Sequence, residues 1–215
     1  MTLRLENISI RIGGVPLIAA FSLSVQDGEI ITLMGPSGSG KSSLLAYIAG
    51  DLTPPLNGIG GVVLNGADLE TVRPEQRRIG RLFQDDLLFP HMTVGQNLLF
   101  GMARGDRSER IAMMRAALAQ AGLEGFEDRQ PHTLSGGQRA RVALMRALMA
   151  KPDCMLLDEP FNKLDKALRA NLRAYIFNHL KIRNIACLMV THDIEDAPEG
   201  GRILHIGHEG ELKIV

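Results

Sequence analysis

The sequence has few cysteines, no net charge and no long apolar run. Only Cys154 and Cys187 occur, inside the apolar stretches Cys154-Met155-Leu156-Leu157 and Ile185-Ala186-Cys187-Leu188-Met189-Val190. Both are therefore expected as buried, reduced thiols. The 24 Lys and Arg balance 24 Asp and Glu, which leaves no broad basic surface, and no nucleic-acid partner is assigned. The six histidines show no metal-ligand spacing, so no zinc site is assigned. No stretch approaches the ~20 apolar residues that cross a bilayer, and the start, Met1-Thr2-Leu3-Arg4-Leu5-Glu6, lacks the apolar segment of a signal peptide. Any work at a membrane would need a partner that spans it. A chain of 215 residues suffices for one α/β domain with a small subdomain.

Glycine is abundant where it matters most. The apolar run Ile30-Ile31-Thr32-Leu33-Met34 leads into Gly35-Pro36-Ser37-Gly38-Ser39-Gly40-Lys41-Ser42, and a helix-compatible segment follows from Ser43 to Ala49. Strand, glycine-rich loop and helix in this order are the context of a phosphate-cradling loop. The glycines let successive N–H groups converge on one anion, and the helix start adds unpaired donors and the positive end of its dipole. Lys41 would reach the β- and γ-phosphates, and the Ser42 hydroxyl suits a Mg²⁺ ligand.

Around this loop, residues 2 to 25 read as antiparallel strands broken at Gly13-Gly14. Residues 54 to 61 read as a proline- and glycine-bearing connection, and Val62-Val63-Leu64 with Asn65-Gly66 as one side of a hairpin. Ile79 to Phe83 reads as a strand ending at Gln84. From Asp85 to Ala150 helix signals replace strand signals: Thr93 caps a helix from Val94, Ser108 caps another ending at Gly122, and a third runs from Gln138 to Ala150. The methionines of this block read as core filling. Strands return at Cys154 to Leu157 and Ile185 to Val190, a helix is expected from Lys166 to Leu180, and Ile203 to Val215 reads as a terminal hairpin. Apolar strands alternating with helices imply a parallel sheet buried on both faces.

Two further stretches carry chemistry. Met155-Leu156-Leu157-Asp158-Glu159 ends a buried strand in two carboxylates; Asp158 could bind Mg²⁺ opposite Ser42, and Glu159 could polarise a water that attacks a γ-phosphate. Leu134-Ser135-Gly136-Gly137-Gln138 places a hydroxyl and two glycines before a helix, a second anion cradle. A chain with one nucleotide has no evident use for two cradles, unless one serves a nucleotide held by another copy.

The order of these motifs resembles the ATP-binding subunit of an ABC transporter from end to end: the Gly35 to Ser42 loop, Gln84, Leu134 to Gln138, Asp158-Glu159-Pro160, Leu164-Asp165 and Thr191-His192-Asp193. Leu82 to Asp85, Val94 to Leu98 and Arg139 to Leu144 resemble a small enterobacterial importer-type cassette in particular. The resemblance implies an α/β P-loop NTPase (RecA-like) core with a mostly parallel sheet, an N-terminal antiparallel β subdomain and an inserted helical subdomain. One ATP-binding domain would cover 1–215, with the core in 1–84 and 151–215 and the helical subdomain in 85–150.

It further implies ATP and Mg²⁺ as cofactors. Gly35, Pro36, Ser37, Gly38, Ser39, Gly40, Lys41, Ser42, Ser43 and Gln84 would bind ATP; Ser42, Gln84 and Asp158 would serve the metal and its waters. Glu159 would be the general base and His192 the γ-phosphate contact. Leu134, Ser135, Gly136, Gly137 and Gln138 would close over ATP on a second, head-to-tail copy, with Asp165 communicating between the two sites. Separate transmembrane permease subunits and a periplasmic solute-binding protein would be the other partners, and the chain would lie in the cytoplasm against the inner face of the cell membrane. Two departures stand out. Ile12 occupies the adenine-side position where many cassettes place an aromatic residue, and Asn162-Lys163 replaces a small pair such as Ser-Ala before Leu164-Asp165. The rival readings are a soluble cassette ATPase of translation or DNA maintenance, disfavoured by the single cassette and absent basic excess, and another phosphate-loop enzyme such as a kinase, which leaves Leu134 to Gln138 unexplained.

Overall fold

Glycine-flanked hairpins shape the N-terminal part of the chain. The computed structural model describes residues 2–207 and 209–214; Met1, His208 and Val215, and with them the end of the expected terminal hairpin, lie outside the described residues. Strands β1 (Leu3–Ile12) and β2 (Val15–Val25) run antiparallel about Gly13-Gly14, whose φ values of 54° and 86° suit a tight hairpin turn. β1 pairs on its other side with β4 (Leu56–Leu64), and Asn65-Gly66 turns β4 back into β5 (Ala67–Asp68). The sheet order is β2-β1-β4-β5. Residues 56 to 61 are thus strand rather than connection. Their glycines weaken intrinsic strand preference, but pairing from Ile12↔Leu56 to Ser9↔Ile59 supplies the hydrogen bonds. Gly58 is also needed for space: a Cβ there would lie 2.3 Å from the Tyr47 ring.

The second sheet comprises β3 (Ile30–Met34), β6 (Ile79–Leu82), β7 (Cys154–Asp158), β8 (Ala186–Val190), β9 (Ile203–Ile206) and β10 (Leu212–Ile214), in the order β10-β9-β3-β8-β7-β6. β7 pairs parallel with β8, β8 with β3 and β3 with β9; β10 closes one edge antiparallel to β9. Every residue of β7 and β8 is buried, which is why both read as unbroken apolar runs. Leu5, Ile10, Leu33, Leu45, Ile48, Leu156 and Leu188 share one core. Burial pushes the Cys154 thiol up to about 12 and the Cys187 thiol upward as well, so both stay protonated and inert.

The chain divides into two compact units, Met1–Arg81 with Asp153–Glu159 and Phe177–Val215, and Leu82–Pro152 with Pro160–Ile176. The first holds both sheets, save Leu82 at the end of β6, and helix α1 (Lys41–Ala49). The second holds α2 (Val94–Gly101), α3 (Arg107–Gln120) and α4 (Gly136–Met149), packed through Val94, Leu98, Met114, Leu118, Val142 and Met145. Helix α5 (Lys166–Ile182) contributes residues to both. Thr93 caps α2 through a reciprocal capping box with Gln96. The cap of α3 is Asp106, which accepts from the Glu109 N–H at 2.9 Å, and Ser108 lies inside the helix. α4 starts at Gly136, before the expected Gln138, because Ser135 and Gln138 form a second capping box.

Candidate functional site

The neighbouring parallel strands β3, β8 and β7 deliver their C-terminal ends side by side, the place where open α/β sheets bind ligands. After β3 comes the glycine loop. Gly35 has φ 150°, and a Cβ there would stand 2.7 Å from the Ile206 carbonyl; Gly40 has φ 91°, and its Cβ would press on Leu17 and Ile18. Both positions exclude side chains, and the loop of Gly35, Pro36, Ser37, Gly38 and Ser39 that follows β3 turns at Ser37-Gly38. Helix α1 begins at Lys41 with no side-chain cap and no acidic residue in its first turn, so the N–H groups of Ser42 and Ser43 are left for an anion. The Ser39 hydroxyl is buried with no hydrogen-bond partner among the described residues.

Lys41 folds back over this loop, its Nζ donating to the Gly35 carbonyl at 2.8 Å and the Pro36 carbonyl at 2.7 Å. Burial lowers its pKa, opposed by the charges of Glu159 and Asp158. Asp158 ends β7 and is nearly inaccessible. Burial raises its pKa; a hydrogen bond from the Ser42 hydroxyl, with Arg81 and Lys41 nearby, acts the other way. Ser42 and Asp158, the two expected metal residues of this unit, are therefore in contact, and together they present hard oxygen donors suited to Mg²⁺.

Glu159 follows with φ 48°, a left-handed conformation rare for a non-glycine residue. Its N–H donates to the Val190 carbonyl at 2.9 Å, which fastens the turn to the end of β8. His192, just beyond β8, puts its Nδ1 3.2 Å from Glu159 Oε1. The resemblance sets both residues at the γ-phosphate without implying a direct contact; the parallel pairing Asp158↔Val190 brings the two side chains together.

The second unit holds the other expected residues. Leu134 is buried and Ser135 exposed. The Ser135 Oγ accepts from the Gln138 N–H, and Gln138 Oε1 accepts from the Ser135 N–H at 2.8 Å. Gly136 and Gly137 lie between them in the first turn of α4, so the cradle is also an ordinary helix cap, a pattern legible in Ser-Gly-Gly-Gln itself. Asp165 likewise caps α5, accepting from the Leu168 N–H at 3.1 Å. Gln84 is exposed, and its carbonyl accepts from Lys163. Sequence reasoning passed over Asn97. Fully buried, it donates from Nδ2 to the carbonyls of Phe89, Met92 and Thr93, and accepts the Phe89 N–H at Oδ1. Asn97 thereby shapes the loop on which Phe89 packs edge-on to the exposed Phe100.

A family model for the ABC transporter matches residues 18–162. The ABC transporter ATP-binding protein YnjD of Escherichia coli strain K12 is 43% identical over 207 residues, covering 96% of this chain and 95% of YnjD. The chain belongs to the ABC transporter family. It is an ATP-binding cassette of that family and an ATPase. The probable sulfate/thiosulfate import ATP-binding protein CysA of Chlorella vulgaris is 39% identical over 224 residues, 99% of this chain and 93% of that protein. Some longer relatives are matched over about half their length, as with 52% of an Escherichia coli K12 putrescine transport ATP-binding protein. The dimeric cassette MJ0796 in a post-hydrolysis state with ADP and Pi superposes with a TM-score of 0.86 at 30% identity, covering 98% of this chain and 96% of that one.

Within this cassette Ile12 ends β1, 44% exposed and paired with Val15 and Leu56. An aliphatic side chain there can cover a purine face but cannot stack as an aromatic ring does, a difference of about 1–3 kcal/mol in other base contacts. Ile12→Tyr is expected to tighten ATP binding and sharpen discrimination against other bases, measured by nucleotide titration. Unchanged affinity would remove Ile12 from the adenine side.

Proposed function

We propose that this cassette hydrolyses ATP to drive solute uptake through separate membrane-spanning subunits, working as a head-to-tail pair of copies. The observation that best supports this reading is the Glu159–His192 contact at the ends of β7 and β8, beside the phosphate loop that follows β3. Lys41, the N–H groups of the glycine loop and those of Ser42 and Ser43 at the start of α1 hold the phosphates. Ser42 and Asp158 would hold Mg²⁺, which would neutralise phosphate charge; for Gln84, a residue of the other unit, a part in serving the metal's waters rests on the family resemblance alone. Glu159 takes a proton from the attacking water as its oxygen bonds to the γ-phosphorus and the bond to the ADP oxygen breaks. With Nδ1 protonated, His192 donates to the Glu159 carboxylate and orients it. Ser135 to Gln138 close over the nucleotide of the second copy, and Asp165 links the two sites. Uptake is favoured by relatives named for import, and the same likeness supports a periplasmic solute-binding protein as a further partner.

Among the described residues no helix is long and apolar enough to cross a membrane; the likeness to ATP-binding subunits of transporters supports separate chains as the spanning part. The surface offered to them is the concavity where Met92, Leu99 and Phe100 alternate with the polar His91, Gln96 and Arg110. Attachment there would place the cassette against the inner face of the membrane. Photo-crosslinkers at positions 89, 91 and 92 are expected to capture a membrane subunit in cells. Capture of ribosomal protein or DNA instead would move the cassette to a role in translation or DNA maintenance.

A further inference from the structure

Gln84, Ser135 and Lys163 belong to one compact unit, and Lys163 reaches the surroundings of both others. Its Nζ donates to the Gln84 carbonyl at 2.9 Å and to Asp86 Oδ1 at 3.2 Å. Asp86 Oδ2 accepts from Arg139 Nε at 3.3 Å, and Arg139 Nη1 donates to the Leu134 carbonyl at 2.6 Å. On its backbone side, the Lys163 carbonyl lies 2.8 Å from where a Gly137 Cβ would stand. A continuous path of contacts therefore runs from the Gln84 stretch through Lys163, Asp86 and Arg139 to the serine-glycine cradle. Asp86, with 12% of its side chain exposed, is gripped by one cation on each oxygen. Leu87, next in the chain, has φ 42°, a conformation a non-glycine residue keeps only where its surroundings impose it.

We propose that Lys163, with Asp86 and Arg139, is a positioning strut that fixes the Gln84 loop relative to the Ser135–Gln138 cradle, so that nucleotide sensed at Gln84 sets the cradle offered to the second copy. The proposal rests on the ATPase reading above and adds a residue outside its binding and catalytic set. A small residue at position 163 has no group able to reach the Gln84 carbonyl or the Asp86 carboxylate, so the strut depends on the lysine this chain carries in place of one. Lys163 and Arg139 are 34% and 38% exposed, a setting in which ion pairs add little to fold stability. Their consequence is where the loop sits, not whether the protein folds.

Steady-state ATP hydrolysis by the full chain, measured across ATP concentration for Lys163→Met, Lys163→Arg, Asp86→Asn and the Lys163→Met/Asp86→Asn double variant, tests this. Lys163→Met is expected to lower kcat by roughly three- to thirtyfold, the range spanned by changes along coupled networks. KM for ATP and the melting temperature should hold, because the phosphate loop and the core are untouched. Lys163→Arg keeps a cation with several donors and should restore most of the rate. The double variant should be no slower than the slower single one, since one strut is broken once. Native kcat in Lys163→Met, multiplying losses in the double variant, or a fall in melting temperature that accounts for the rate would overturn the strut. Glu159→Gln, run alongside, separates the two readings. If it is inactive while Lys163→Met turns over normally, only the strut fails; if native hydrolysis is indifferent to Glu159→Gln, the assignment of the base fails and the strut with it.

Discussion

A chain carrying Glu159→Gln is expected to bind ATP as the native chain does and to hydrolyse it roughly 10²–10⁴-fold more slowly. Glutamine has the size and shape of glutamate and keeps an oxygen acceptor, so the 3.2 Å contact with His192 Nδ1 can persist. The left-handed backbone at position 159 and its hydrogen bond to the Val190 carbonyl are equally open to glutamine. What disappears is the ability to take a proton from water. Loss of the negative charge also removes one of the two carboxylates that raise the Lys41 pKa, yet Asp158 remains and an ATP polyphosphate supplies more. Nucleotide binding measured by fluorescence and phosphate release measured by coupled assay give the two halves of the result. Turnover close to native would take Glu159 out of the base role, and loss of binding together with turnover would mark it as structural.

The parts of the site that lie within one stretch of sequence were legible before the structure; the parts made by two stretches were not. Gly35 to Ser42 declares itself because the glycines, the lysine and the following helix are contiguous, and each has a local backbone reason seen at Gly35 and Gly40. The contact between Glu159 and His192, 33 residues apart in sequence, depends on register between β7 and β8, and no local pattern encodes it. Lys163 shows the same limit more sharply. In sequence it is only an unexpected cation in a turn, and its partners Gln84 and Asp86 lie 79 and 77 residues away. Among the elements, the misread start of β4 reflects pairing with β1 overriding the poor strand preference of glycine. The helix starts misplaced at Ser108 and Gln138 have a different cause: competing capping groups stood within a few residues. At α3 a carboxylate two residues earlier took the cap, and at α4 the Ser-Gly-Gly-Gln box was legible but was read for anion binding alone.

Ser135→Arg is the corresponding test across the pair of copies, and it is expected to cut turnover by roughly 10²-fold, the scale associated with displaced reacting groups. Ser135 is exposed in its own unit, so an arginine there meets no core. It does forfeit the hydroxyl that accepts the Gln138 N–H, a cap whose loss costs about 0.5–2 kcal/mol, and it sets a cation against the positive end of α4. Neither effect touches Lys41, Ser42, Asp158 or Glu159, so a chain with this substitution keeps an intact phosphate loop. In a head-to-tail pair each site takes its phosphate loop from one copy and its cradle from the other. Ser135→Arg chains mixed with Lys41→Ala chains then form heterodimers in which one site joins the sound loop of the first to the sound cradle of the second. Half the dimers from an equal mixture are of this kind with one working site of two, so about a quarter of native turnover should return although each variant alone is nearly inactive. No recovery on mixing would place the cradle over its own chain's nucleotide and end the case for a site shared between copies.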